Sequence, residues 1–375
     1  MNDKGDRRKG AASLTLVMAG GGTGGHLFPA MALAGEFKSR YPDARIVFIG
    51  GKGGIEEKLA PGLGYELRLL DVEGVKNRRG IRRIRALVKA VMAAVKAVGI
   101  LREIRPDGVI GSGSYSSAPV VSAACLLGMK TAILEQNALA GLTNRVLGRF
   151  VDRVYIAFAE ARRFFPMPRT VVSGNPVRRE ILGRAPDEAI GKGDKFTILV
   201  FGGSQGATAI NTAFVDATEY LTDIWPGLTV VHQTGKDGYD QVVRAYRRKG
   251  LKVDVHMFID DMAGAYRGAD LAVCRAGATT LAELTALGVA SILIPYPFAS
   301  DDHQSVNARC MADSGAAVVI EQDKLTGAAL AAAIKRFYGF PGELKAMREK
   351  ARGMGRPSAA VTIADDFLKV LNKGA

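Results

Sequence analysis

The sequence predicts an α/β protein of two doubly wound, Rossmann-like domains facing each other across a cleft. Three observations carry that expectation. The chain has 375 residues, more than one hydrophobic core serves well, which suggests two units of about 150–200 residues. Short apolar runs alternate with helical patterns almost throughout, the signature of βαβ units on a parallel sheet. The two halves also open alike: GGGTGG at 20–25 follows the first apolar run, and GGSQG at 202–206 follows the first run of the second half.

In order, the first half offers strands at 14–19, 45–50, 66–72, 108–111, 131–135, 154–158 and 170–173. The second offers 196–201, 228–232, 253–258, 271–274, 291–295 and 317–321. After the first glycine loop, Leu27, Ala30 or Met31, Ala34 and Phe37 keep a helical period, with Pro29 suited to a first turn. The stretch 178–195, with Pro186, Gly191 and Gly193, lacks an apolar period and reads as the connection between domains. The expected division is 13–176, 177–355 and a terminal amphipathic helix at 356–375 (Val361, Phe367, Leu368, Leu371) packing back on the N-terminal domain. Ligands of such sheets lie beyond the carboxyl ends of the strands, so the site is expected in the cleft.

Composition narrows the class. With 48% hydrophobic and 23% charged residues the chain is neither disordered nor collagenous. Cys125, Cys274 and Cys310 lie far apart, which argues against a disulfide framework and a thiolate zinc site and fits a reducing, intracellular compartment. No apolar run reaches the roughly 18–20 residues of a spanning helix. Residues 7–19 imitate a signal peptide, but the apolar run is short and leads into glycines, so it reads as a buried strand. The net charge of +14 is concentrated: residues 76–105 carry ten basic side chains against Glu103 alone. Such a patch calls for a polyanion. Within it, apolar residues at 81, 84, 87, 88, 91, 92, 95 and 98 keep a helical period beside Arg82, Arg83, Arg85, Lys89 and Lys96, as an interfacial helix should. A helix packing that face on the sheet is the plainer alternative. The absence of aromatic residues for base stacking disfavours nucleic acid, and the charge points to anionic lipid.

Several motifs could carry chemistry. GGGTGGHLFPA (20–30) places glycines between a strand and a helix, where backbone amides attract an anion, or where a tight turn simply lets helix and strand pack. It satisfies GxGxxG, yet the second strand ends Ile49, Gly50, Gly51, Lys52, without the acid a nicotinamide enzyme needs. His26, at that helix start, is a candidate general base, unless it only packs locally. GGSQG also fits the GxSxG nucleophile elbow, with Ser204 followed by Asp260 or Asp261 and His303 as a possible triad; a Ser204 that contacts phosphate is the stronger reading. In CRAGATTLAELTALG (274–288), helix-start amides can face a diphosphate and Glu283 can accept both ribose hydroxyls, while Thr280 and Glu283 equally fit a capping box. In DDHQSVNA (301–308), Gln304 can hydrogen-bond a sugar hydroxyl, or merely start a helix.

GGGTGGH, GSGSYSSAP (111–119), EQNALAGLTNR (135–145), SGNPVR (173–178), FGGSQGA (201–207), FIDDMAGAY (258–266), CRAGATTLAEL and DDHQSVNA stand in this order and at these spacings. Together they resemble the MurG family, bacterial transferases that add N-acetylglucosamine to undecaprenyl-diphosphoryl-N-acetylmuramoyl-pentapeptide. The resemblance covers nearly the whole chain. It implies a GT-B fold, an inverting transfer to the muramoyl 4-hydroxyl, the acceptor on the N-terminal domain and UDP-N-acetylglucosamine on the C-terminal one. Carried over by position, Arg178, Ser204, the Ile259 backbone, Ala278, Thr279, Thr280, Leu281, Ala282, Glu283 and Gln304 fall at donor contacts. Thr23, Gly24, Gly25 and Asn137 fall at contacts reaching across the cleft, and His26 at the candidate base. No metal or other cofactor is implied, and the expected location is the cytoplasmic face of the bacterial inner membrane, peripherally bound. A UDP-N-acetylglucosamine 2-epimerase on a similar scaffold, or a GxSxG hydrolase, are the alternatives.

Overall fold

The computed structural model describes residues 14–72, 81–183 and 195–372, apart from the side chains of 81–87 and 300. The basic residues 7–9 and most of the connecting stretch, 184–194, lie outside the described residues.

Two parallel sheets form where the apolar runs predict them. The first comprises β1 (Thr15–Ala19), β2 (Arg45–Gly51), β3 (Glu66–Leu70), β4 (Gly108–Gly111), β5 (Lys130–Glu135), β6 (Arg153–Ile156) and β7 (Thr170–Val172) in the order β3-β2-β1-β4-β5-β6-β7. Its helices are α1 (Gly24–Arg40), α2 (Glu56–Gly62), α3 (Ile81–Ile104), α4 (Ser117–Leu126) and α5 (Leu142–Leu147). After the short α6 (Arg179–Leu182), the second sheet comprises β8 (Phe196–Phe201), β9 (Leu228–Gln233), β10 (Asp254–His256), β11 (Leu271–Cys274), β12 (Ala290–Leu293) and β13 (Val318–Val319). Its order is β10-β9-β8-β11-β12-β13. Around it lie α7 (Thr208–Ala217), α8 (Tyr239–Arg248), α9 (Met262–Gly268), α10 (Ala278–Leu287), α11 (His303–Asp313), α12 (Gly327–Gly339) and α13 (Pro341–Met354), followed by α14 (Ala359–Val370).

Central strands read as continuous apolar runs because both faces are covered. In β1, Leu16 and Met18 enter one core while Val17 and Ala19 enter the other. In β8, Ile198 and Val200 part from Leu199 and Phe201 in the same way. Helix α14 shares the first domain's core through Ile363, Phe367 and Leu368. Gly108 admits it, since a Cβ there would come 2.8 Å from the Phe367 ring. Asp366 accepts from Tyr155 Oη at 2.8 Å and Arg153 Nε at 2.9 Å, fixing the helix to β6.

In each sheet the strand order reverses once, between β1 and β4 and between β8 and β11. Loops leaving the strands on either side of a reversal turn opposite ways and open a crevice. The two glycine loops leave β1 and β8, and the loops at 112–116 and 275–277 leave β4 and β11. All four therefore meet at one cleft.

Candidate functional site

The cleft is closed by contacts between the domains. Thr279 Oγ1 donates to Gly25 O at 3.2 Å, so the starts of α1 and α10 touch. The fully buried Asn307 donates to Asn137 Oδ1 at 3.1 Å and accepts the Ala138 amide at 2.9 Å. The Arg178 guanidinium lies 4.6 Å from the centre of the Phe28 ring. Asn137 is held from below, its amide and side chain both donating to Glu135 Oε1.

His26 is half-buried in the first turn of α1. Its ring leaves that helix: Nδ1 lies 2.9 Å from Ser112 O, beyond β4. A carbonyl oxygen can only accept, so Nδ1 carries the proton and Nε2 keeps its lone pair. Burial lowers the pKa below the ordinary 6.5 and outweighs the Glu135 charge, the Ser112 hydrogen bond and the neighbouring Gln136 side chain, while His303 of the second domain adds to the depression. At neutral pH the ring is therefore an unprotonated base within electrostatic reach of both domains. Gln136 Nε2 shares the Ser112 carbonyl at 2.8 Å, and its buried Oε1 has no partner among the described residues.

In the second domain, α10 begins at Ala278 with Gly277 as its cap and no capping side chain. The capping box of Thr280 and Glu283 does not form, because both residues lie inside the helix. Glu283 is buried; Oε1 accepts from Arg178 Nη2 at 3.1 Å and Oε2 from Tyr266 Oη at 2.9 Å. Burial raises its pKa, against the pull of Arg178 and the Tyr266 hydroxyl. Arg178 Nε is buried with no acceptor among the described residues, a donor suited to an anion. Within 278–283 the residues divide: Leu281 is core, with its amide bonded to Gly277 O at 3.0 Å, and Ala282 packs against the same core. Ala278 is also buried, Thr279 and Thr280 are half-buried, and Thr279 is the one that meets the first domain, at Gly25.

The remaining predicted residues occupy the rim. Ser204 is exposed in the loop after β8, where Gly206 at φ 76° lies so close to Thr234 that a Cβ would strike its carbonyl. Asp261, one of the acids a Ser204 triad would draw on, instead caps α9 by accepting the Gly264 amide at 2.8 Å. The Ile259 amide donates to Gln233 Oε1 at 2.9 Å, so of its two backbone polar groups the amide is already engaged. Gln304, in the first turn of α11, accepts the Tyr296 amide at 3.0 Å through Oε1. At the first glycine loop the Gly22 amide is taken by the Glu56 carboxylate at 2.7 Å, so Thr23, Gly24 and Gly25 are what the loop presents.

Sequence reasoning passed over Phe28, Glu56, Gln136, Tyr266 and Asn307. Tyr266 and Asn307 stand inside motifs that were read, FIDDMAGAY and DDHQSVNA, but no spacing announces their partners, Glu283 at 17 residues from Tyr266 and Asn137 at 170 from Asn307. Helix α3 bears on the other open question. It buries Ala93, Ala97, Leu101 and Ile104 and exposes Val88, Val91, Met92 and Val95, each more than half accessible. Of the apolar stripe read as interfacial, the residues at 88, 91, 92 and 95 stand apart from the packing face, Val98 packs against the core, and the side chains at 81, 84 and 87 lie outside the described residues. Lys89 bonds Asp71 at 3.1 Å and Lys96 donates to Leu69 O at 3.1 Å, which holds two cations beside the stripe. The Arg82, Arg83 and Arg85 side chains lie outside the described residues.

Two facing parallel sheets, joined at their switch points by glycine-edged helix starts, define the two-domain glycosyltransferase architecture. The chain belongs to glycosyltransferase family 28, whose N-terminal domain model matches residues 16–156 and whose C-terminal domain model matches 197–363. Among its relatives, the UDP-N-acetylglucosamine--N-acetylmuramyl-(pentapeptide) pyrophosphoryl-undecaprenol N-acetylglucosamine transferase of Syntrophus aciditrophicus is 48% identical over 96% of this chain and 99% of the relative. The transferase of the same name from Myxococcus xanthus is 47% identical over 94% and 92%. Among solved structures, MurG of Acinetobacter baumannii superposes with a TM-score of 0.78 at 33% identity, covering 95% of this chain and 99% of that one. A UDP-N-acetylglucosamine 2-epimerase matches at TM-score 0.68 but 14% identity, a likeness of fold alone.

Proposed function

We propose that the protein transfers N-acetylglucosamine from UDP-N-acetylglucosamine to the 4-hydroxyl of the muramoyl sugar in undecaprenyl-diphosphoryl-muramoyl-pentapeptide, with inversion at the anomeric carbon. The observation that carries this reading is the neutral His26, with Nε2 as its free base, set opposite the uncapped start of α10 and the Arg178 Nε, which has no acceptor among the described residues. Full-length identity to transferases of that name supports the substrates.

In one displacement, Nε2 of His26 takes the proton of the acceptor hydroxyl as its oxygen attacks the anomeric carbon and the bond to UDP breaks. The departing diphosphate gathers negative charge. In this reading Arg178 and the amides at 278–280 receive it, each such donor worth a few kcal/mol. Glu283 is already bonded on both oxygens, so it orients Arg178 and meets the ribose only through remaining lone pairs. With cationic and dipolar groups in these positions, chelators should leave turnover unchanged; loss of activity in EDTA, restored by magnesium, would refute this assignment.

No described helix is long and apolar enough to cross a membrane. We place the protein peripherally on the cytoplasmic face of the bacterial plasma membrane, with the exposed stripe of α3 entering the headgroup region beside its basic neighbours. Val91→Glu with Val95→Glu should abolish cosedimentation with phosphatidylglycerol vesicles while UDP still binds; undiminished cosedimentation would place the contact elsewhere.

The decisive assay supplies labelled UDP-N-acetylglucosamine and a lipid-diphosphoryl-muramoyl-peptide. Label in the lipid supports transfer. UDP release without acceptor would instead favour an epimerase or a hydrolase.

A further inference from the structure

The first glycine loop is built around a negative charge that belongs to the protein itself. Glu56, the first residue of α2, is fully buried. One of its carboxylate oxygens accepts the Gly22 amide at 2.7 Å and the other the Gly51 amide at 3.0 Å. The surrounding chain closes on this carboxylate: a Cβ added to Gly21, Gly50 or Gly54 would overlap it. Three glycines are thus required by one side chain.

The turn it grips has few other constraints. Gly20, Gly21 and Gly22 follow one another at φ 136°, 146° and 82°, a path open to glycine and one among many for a free glycine run. On its opposite flank the turn rests on Ser112 and Gly113, which a Cβ on Gly20 would strike. The Ser112 carbonyl is also the group that sets the His26 tautomer. Glu56 on one side and Ser112 on the other therefore clamp the backbone from which Thr23, Gly24, Gly25 and His26 emerge.

We infer that Glu56 is a positioning residue for the transfer reaction: its buried carboxylate is the fixed anion that holds the 20–22 turn and aims the start of α1 into the cleft. It touches no substrate and acts through the loop. Because its charge fills the Gly22 amide, a substrate phosphate is directed away from that amide and toward the second domain. This role rests on the transferase reading above.

Removing the carboxylate should misplace His26, and displacements near 1 Å cost on the order of 100-fold in rate. Glu56→Ala is expected to lower kcat by about 10–100-fold while UDP affinity, which resides in the second domain, stays at the wild-type value. Added formate should restore much of that loss by entering the vacated cage, whereas chloride at equal ionic strength should not. If Glu56→Ala does not fold, Glu56→Gln preserves the size but sets an NH2 group against a backbone N–H, and should show the same fall in kcat with unchanged UDP affinity. Wild-type kcat in Glu56→Gln, equal losses of kcat and UDP affinity, or a folded Glu56→Ala indifferent to formate would each overturn the role. Wild-type protein in the same assay keeps the two claims apart. Its failure to transfer label would overturn the transferase reading together with this role, and an active wild type beside an equally active Glu56→Gln would overturn the role alone.

Discussion

Replacing His26 by alanine is expected to reduce turnover by about 10²–10⁴-fold, the usual worth of a positioned general base, and to leave UDP binding intact. The separation follows from geometry. The imidazole is tied to Ser112 of the first domain, while Arg178, Tyr266 and the start of α10 lie on the other wall. Its pH dependence has a definite sign. Burial favours the neutral ring, so the folded pKa lies below 6.5. The base is present above that lowered value, and kcat/KM should fall only as the pH drops through it. The linked stability is likewise present above 6.5 and lost on acidification through the folded value. An acid limb at or above 6.5 in the wild type, or one that persists unchanged in His26→Ala, would assign the proton transfer to another group.

Arg178→Ala should lower kcat/KM by about 10²–10³-fold if, as proposed, its guanidinium stabilises the departing diphosphate, since it removes both the cation and an Nε donor that has no acceptor among the described residues. It should also cost about 2 kcal/mol of stability, because Glu283 loses a charge-assisted hydrogen bond in a buried position. Arg178 is itself about one-third exposed, which keeps this below the cost of breaking a fully buried pair. Lysine should recover charge but little activity, having neither the planar fork nor an Nε. Isothermal titration with UDP, thermal melts and steady-state rates on both variants make the comparison. A fully active Arg178→Lys would show that only net charge matters there.

The same network explains why Glu283 is a poor single probe of the donor site. A helix-cap residue would be removable at a cost of about 1 kcal/mol. The observed Glu283 is instead bonded to both Arg178 and Tyr266, so truncation strands a hydroxyl and a guanidinium and disturbs fold and binding together.

Much of the architecture was legible because it depends on local rules. Alternating burial places Leu16 and Val17 on opposite faces of β1, and glycine is what the path at 20–22 demands. Candidate site residues were legible as groups at the ends of strands, where the topology concentrates ligands. Their partners were not. Thr280 and Glu283 match the capping spacing as well as any true box, and only the start of α10 at Ala278 excludes it. The apolar period in α3 marks a face without saying whether sheet or solvent meets it. There, the small residues Ala93 and Ala97 take the close contact and Val88, Val91 and Val95 are left outside.

The chain's own pattern thus determined two parallel sheets, their glycine loops and a cleft between them, since backbone dihedrals and side-chain burial respond to neighbours within a few residues. Tertiary structure decided which groups are paired. His26 finds Ser112 across 86 residues, Arg178 finds Glu283 across 105, and Asn307 finds Asn137 across 170. Such partnerships are set by how two whole sheets stand against each other, because hydrogen bonds of about 3 Å are selected by position in space and carry no fixed separation along the chain.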